Sequence, residues 1–167
     1  MASTMLFTDS RGRVLVVDPT YKPLFELPGG VVEAGESPWC AARREIAEEL
    51  GLDREPGRLL AVDYVPARGD RTEGLIVVFD GGTLDPRFTP RLPPDELRGF
   101  AFVEPSRLGA YLPELQTRRA HAALAALDGG YTDYLHDGRS VRTPPDVAPA
   151  TPTALSAPRE DPEQRAD

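Results

Sequence analysis

Three glutamates, Glu45, Glu48 and Glu49, follow one another closely in the run ARREIAEEL, with Arg44 directly before the first of them. If that run is helical, residues three and four apart are surface neighbours, so Glu45 lies beside both of the others. At about 100° per residue the three carboxylates share a sector of roughly 100°. Like charges at this spacing destabilise a helix by about 0.2–0.5 kcal/mol per pair, so the cluster calls for a partner. A hard divalent cation suits it: Mg²⁺ and Mn²⁺ take oxygen ligands and are commonly held by one or two carboxylates plus waters and phosphate oxygens. The plainer reading is a solvated acidic face with Arg44 as its local counter-ion.

The surrounding chain gives the cluster a fixed frame. Ser37 before Pro38 is a good N-cap followed by a good first helical residue, and Gly51 is a good stop, which predicts a helix over Pro38 to Leu50. Trp39, Ala42, Ile46 and Leu50 form an apolar stripe adjoining the acidic sector, so one face packs while the next concentrates negative charge. Ahead of the helix, Phe25 to Leu27 reads as a short strand ending in Pro28-Gly29-Gly30, where two glycines allow the backbone to approach a ligand closely. Further strands are expected at Ala2 to Thr8, Arg13 to Val17, Arg58 to Val65, Leu75 to Asp80 and Glu96 to Val103, with Gly81-Gly82 punctuating the fifth. The uniformly aliphatic Val14 to Val17 suits a strand buried on both faces. Pro105 to Tyr111 reads as a short helix and Glu114 to Leu127 as a longer one. On the longer helix Leu115, Ala122, Leu124, Ala126 and Leu127 are expected to face inward, and Gln116, Arg118, Arg119 and His121 outward. His121 and His136 read as surface or structural residues. Strands on both sides of a central helix, with further helices late, predict a mixed α and β domain in layers.

The stretch from Gly30 to Leu52 matches, position for position, G-x5-E-x7-R-E-U-x-E-E-x-G-U, with U a bulky aliphatic: Gly30, Glu36, Arg44, Glu45, Ile46, Glu48, Glu49, Gly51 and Leu52. At ordinary residue usage, such a match arises by chance with a probability on the order of 10⁻⁷. The chain thus resembles the Nudix hydrolase family, with no departure at any position of the box. The resemblance implies the Nudix-type α/β/α sandwich and Mg²⁺-dependent hydrolysis, with Mn²⁺ as a substitute, of a diphosphate bond in a nucleoside diphosphate linked to another moiety. It implies metal ligation by Glu48, Glu49, Glu45 and the carbonyl of Gly29, and orientation of the glutamates by Arg44. Glu36 and Gly30 take supporting roles, and either Glu45 or Glu96, at the entrance of the late strand, is the general base. A non-catalytic ligand-sensing module on the same fold is the second reading. An isoprenoid diphosphate isomerase would need a reactive cysteine in the pocket, and Cys40, the only cysteine, lies on the box helix away from the glutamates.

Composition narrows the partners. The chain has 167 residues, 40% hydrophobic and 28% charged, with a formal charge of −8. That charge argues against nucleic-acid polymers and anionic membranes, both of which are bound chiefly through Lys and Arg. An acidic protein meets a polyanionic small molecule only through intervening cations. One cysteine permits no internal disulfide and no cysteine-based zinc site. No apolar run reaches the length of a membrane span and the N-terminus lacks a signal-type apolar segment, so a cytoplasmic protein is expected; a homodimer is left open. In the polar loop PARGDRTEG, Arg68 and Arg71 are typed for phosphate or carboxylate recognition and are the candidate substrate contacts. Residues 1–142 are expected to form the Nudix hydrolase domain. The proline-rich, acidic segment 143–167 cannot bury enough apolar surface to offset its ordering entropy, and is expected to be a disordered tail. The specific substrate is not encoded in any motif at a recognisable spacing.

Overall fold

Alternation in the strands sets up two apolar layers. Met5 and Phe7 of the first strand and Leu15 and Val17 of the second enter one buried cluster, while Leu6, Val14 and Val16 enter another. Successive side chains of a strand point to opposite faces, so both strands must be covered on two sides. The computed structural model, which describes residues 1–69 and 71–142, meets that demand with one mixed sheet between two α-helices. The segment expected to be a tail, 143–167, lies outside the described residues.

The strands are β1 (Ala2–Asp9), β2 (Val14–Pro19), β3 (Gly29–Val31), β4 (Leu59–Val65), β5 (Gly74–Leu84), β6 (Leu97–Val103), β7 (Asp133–His136) and β8 (Arg139–Ser140). Their order is β6-β2-β1-β5-β4-β7-β8, with β3 also paired to β1. The β1–β5 and β4–β7 pairs are parallel and the remaining pairs antiparallel. Helix α1 (Pro38–Leu50) covers one face through Ala42, Ile46 and Leu50; helix α2 (Glu114–Gly129) covers the other through Ala120, Ala123 and Ala126. A short 3₁₀ helix, Pro105–Ala110, takes the place of the first late helix.

One edge of β1 is shared by two strands. Thr8 pairs with Val14 of β2, whereas Ala2, Ser3 and Thr4 pair with Val31, Gly30 and Gly29 of β3. β1 and β2 therefore part company toward the start of β1, and the two glycines sit where they diverge. The expected strand at Phe25 to Leu27 is not formed: Glu26 makes an isolated bridge to Val17, and the strand begins at Gly29 instead. Backbone pairing with β1, which residue type does not reveal, decides the register here.

Two further expectations are corrected. Gly81 and Gly82 do not end β5; the strand continues to Leu84 through a bulge at which Leu6 faces Asp80 and Phe7 faces Gly82. Gly81 is the extra residue, and a Cβ there would collide with the Phe7 ring, so the glycine admits a core phenylalanine rather than a turn. Arg119 does not face outward: it is 94% buried, its Nε donating to Asp63 Oδ2 at 2.8 Å. The inward stripe of α2 runs through Ala120 and Ala123, which places Arg119 beside it.

Candidate active site

The site is built on the N-terminal half of β1, the turn into β3, and α1. Ser37 caps α1 by accepting from the Cys40 amide at 3.2 Å, and Gly51 closes it in the left-handed conformation, as their residue types predict. The buried Ser3 hydroxyl donates to the Pro38 carbonyl at 2.7 Å, tying the start of the helix to β1. Trp39 adds a second tie, its indole N–H donating to the Pro56 carbonyl at 3.2 Å. The register of α1 against the sheet is thereby set at its first turn and along its Ile46–Leu50 face.

Arg44 is the hub of the carboxylates. Its Nε and one terminal amino group donate to the two oxygens of Glu36, each at 3.0 Å, a bidentate pair. The other amino group donates to Glu45 at 2.8 Å and to Glu48 at 3.0 Å, while the one paired with Glu36 also donates to the Val31 carbonyl at 3.1 Å. This set of acceptors raises the Arg44 pKa above its ordinary value, with the Glu36 hydrogen bond the largest cause, and the same bond lowers that of Glu36. Glu36, outside the helix, reaches the cluster because the 31–36 loop folds back over α1.

Glu49 is the exception. It points away from Arg44, toward the glycine turn, and accepts from the Gly29 amide at 2.8 Å. Burial pushes its pKa up to about 8, the Gly29 hydrogen bond opposes that shift, and the charges of Glu45, Glu26 and Glu96 add to it. Glu45 is likewise raised, first by burial, with Arg44 opposing and Glu48 and Glu36 reinforcing. A largely desolvated carboxylate facing other carboxylates is a local deficit of positive charge. The backbone keeps it that way. Gly29 has φ 134° and a Cβ there would enter the Ser3–Thr4 backbone; a Cβ on Gly30 would enter the Glu45 carboxylate. Gly29 is thus required by contact with backbone, whereas a side chain at residue 30 would have to displace the Glu45 carboxylate.

The donor set suits a hard cation, since it consists of carboxylate and backbone oxygens. Among the described residues, however, no three acidic, histidine or cysteine side chains are grouped closely enough to hold an ion as they stand. Glu45 and Glu48 are turned onto Arg44, and would have to release or share it to ligate.

Glu96 lies in the turn before β6, exposed, its backbone carbonyl accepting from the Thr20 amide at 2.8 Å. Its charge reaches Glu49 and Tyr21. Glu26, which the sequence did not single out, does the same while paired with Lys22 at 2.5 Å. The candidate arginines separate. Arg71 lines a cleft of about 400 Å³ together with Gly29, Gly30, Tyr21, Gln116 and Arg119. Arg68 lies outside that cleft, exposed and 3.6 Å from Asp137 in a neighbouring groove, where its backbone pairs with that of Arg71. Cys40 is exposed and free, on the far side of α1 from the cleft residues.

The family model of the NUDIX domain matches residues 1–126. The chain belongs to the NUDIX family. Within it, the chain is 48% identical over 50 residues to YjhB of Bacillus subtilis (strain 168), and 44% identical over 59 residues to the ADP-ribose pyrophosphatase of Methanocaldococcus jannaschii. These segments are 30% and 35% of this chain, and the chain spans only 24% and 35% of the length of those two relatives. The MutT NUDIX hydrolase of Burkholderia pseudomallei superposes with a TM-score of 0.58 at 25% identity, over 75% of this chain and 95% of that one. The NUDIX fold accounts for the mixed sheet between helices. No helix among the described residues is long and apolar enough to cross a membrane.

Proposed function

We propose that the protein is a pyrophosphohydrolase that cleaves the diphosphate bond of a nucleoside diphosphate linked to a second group, with Mg²⁺, or Mn²⁺ in its place. The observation that carries this reading is the hydrogen bond of Glu49 to Gly29, a residue that lines the cleft, on the helix that also carries the Arg44-held Glu45 and Glu48. Glu48, Glu49, Glu45 and the Gly29 carbonyl would hold the cation, which when bound neutralises diphosphate oxygens and lowers the pKa of a coordinated water.

The chain's own residues carry the rest. Arg44 holds Glu45 and Glu48 side by side, and releasing or sharing them is the rearrangement that a cation would require. Glu96 is the better general base: it is exposed, and its carboxylate has no hydrogen-bond partner among the described residues, whereas Glu45 is already committed to Arg44. Arg71 contributes a guanidinium to the cleft for substrate oxygens; Arg68 braces the turn that presents it. The names of the relatives make ADP-ribose the first substrate to try. Turnover of ADP-ribose and of nucleotide sugars with Mg²⁺ tests the assignment: Glu48→Gln lowers turnover by orders of magnitude with an unchanged fold, and Glu96→Gln lowers it by about 100-fold or more, against a smaller loss in Glu45→Gln. Near-normal activity in Glu48→Gln contradicts the cation site.

A further inference from the structure

Arg119 and Thr4 are polar groups that neither the fold nor the carboxylate cluster uses up. The Arg119 side chain is only 8% exposed, and only its Nε is engaged, by Asp63. Its two terminal amino groups have no acceptor among the described residues, yet they are not sealed off, because Arg119 lines the same cleft as Gly29 and Gly30. Thr4 lines that cleft too, with its hydroxyl oxygen buried beneath the surface and without a hydrogen-bond partner among the described residues. Leaving such groups unpaired costs roughly 1–3 kcal/mol each, more when charged, unless a ligand completes them. Asp63 fixes the arrangement from behind: one oxygen takes Arg119 Nε and the other takes the Gly138 amide at 2.9 Å, so the guanidinium is clamped by one edge and its other donors are left free. Arg71 approaches from the rim, and its charge lowers the Arg119 pKa along with burial, while Asp63 opposes the shift. Both arginines line the cleft with Leu27 and Ile76, and because Glu26, the carboxylate that also lines it, is engaged by Lys22 and Gln116, the free Arg119 donors call for an electron-rich occupant.

We propose that Arg119 is a specificity-determining residue, donating from the cleft wall to an acceptor-only group on the part of the substrate beyond the diphosphate. This inference rests on the hydrolase reading above. The Asp63 clamp pre-orients the fork, and an amino group presented at the same place is rejected because donor meets donor. Two substrate features carry such chemistry: the oxo edge of a nucleobase, whose adjacent acceptors match an arginine fork, and a further phosphate.

Steady-state kinetics of the full chain with Mg²⁺ on two matched pairs separates them: a GDP-sugar against the ADP-sugar, and 2′-phospho-ADP-ribose against ADP-ribose. The wild type prefers the acceptor-bearing member of one pair by about tenfold or more in kcat/KM, and which pair shows it names the source. Arg119→Lys keeps the charge opposite Asp63 but loses the fork; it raises KM for the preferred member about tenfold, leaves kcat within about twofold, and levels the preference. If Arg119→Lys melts well below the wild type, the double variant Arg119→Gln/Asp63→Asn exchanges the ion pair for neutral amides and carries the same expectation. A wild type that cleaves all four compounds with less than twofold preference, or a variant that keeps the preference and KM, overturns the role of Arg119. If none of the four is cleaved, calorimetric titration with GMP, AMP and 2′,5′-ADP decides the subsite alone, apart from the hydrolase reading. GMP or 2′,5′-ADP binding about tenfold tighter than AMP, lost in Arg119→Lys, upholds it; equal binding overturns it.

Discussion

Arg44 touches three carboxylates and a carbonyl, but Glu49, the most desolvated of the cluster, has only a backbone amide. That asymmetry has a measurable consequence in metal-free protein. The folded-state pKa of Glu49, about 8, stands above the unfolded value of about 4.3, so between those values the native state binds more protons than the unfolded chain. Stability is lost as pH rises from the lower value through the upper one. Glu49→Gln is neutral throughout and can still accept from Gly29, so in chelator it melts higher than the wild type, on the order of 5 °C, above pH 8, and by little near pH 5. The same variant loses the rise in melting temperature that millimolar Mg²⁺ or Mn²⁺ gives the wild type through ligand linkage. Equal melting of both proteins at pH 8.5 in chelator would show that burial of this carboxylate is not the strain described. A second change at this scale acts by contact alone: Gly30→Ala pushes a methyl group into the Glu45 carboxylate, and kcat falls at least about tenfold while circular dichroism is retained. The box residues were legible because their types and spacing are fixed together. Arg119 was not, since an arginine on an amphipathic helix usually faces water. The signal lay on another strand: Asp63 has the same parity as the buried Ala61 and Val65, and a carboxylate at a core position needs a charged partner from elsewhere.

At the scale of elements, α1 was readable to the residue, because its cap, first proline, stripe and glycine stop are all local. Elements that depend on a partner strand were less so. β3 begins at Gly29 rather than Phe25 because Ser3 and Thr4 offer it a backbone edge, and no local propensity favours a strand of Gly-Gly-Val. β5 continues through Gly81-Gly82 for a related reason: opposite the bulge stands Phe7, fully buried, whose ring occupies the space a side chain at residue 81 would need. Gly81→Val therefore destabilises the protein by about 1–3 kcal/mol, read as a lower urea midpoint at unchanged slope. Phe7→Ala/Gly81→Val, which vacates that space, costs less than the sum of the single changes. Strict additivity would mean that the bulge is set by backbone conformation and not by the ring.

Across the whole molecule, the excess of acid over base and the carboxylate cluster would both be met, in the function proposed above, by a cation between protein and substrate. The split edge of β1 places the glycine turn beside α1 on one side of a cleft, and α2 closes the other side with Gln116 and Arg119. A mixed α and β class was legible from the order of helices and strands and from Val14 to Val17, while the detail of the sandwich came from the resemblance of the Gly30 to Leu52 stretch to the Nudix family. The cleft was not, since it arises from where β1 and β2 separate, and pairing of that kind leaves no periodicity in either strand. The central claim is that these parts assemble a cation-dependent centre for breaking a diphosphate bond. It is tested most directly by incubating the protein with ADP-ribose, nucleotide sugars and dinucleotides, with Mg²⁺ and with excess chelator, and resolving the products by mass. The expected result is a nucleoside monophosphate and a phosphorylated partner from at least one compound with Mg²⁺, and none with chelator. Turnover that persists undiminished in chelator, or no cleavage of any compound with Mg²⁺ or Mn²⁺ present, would contradict it.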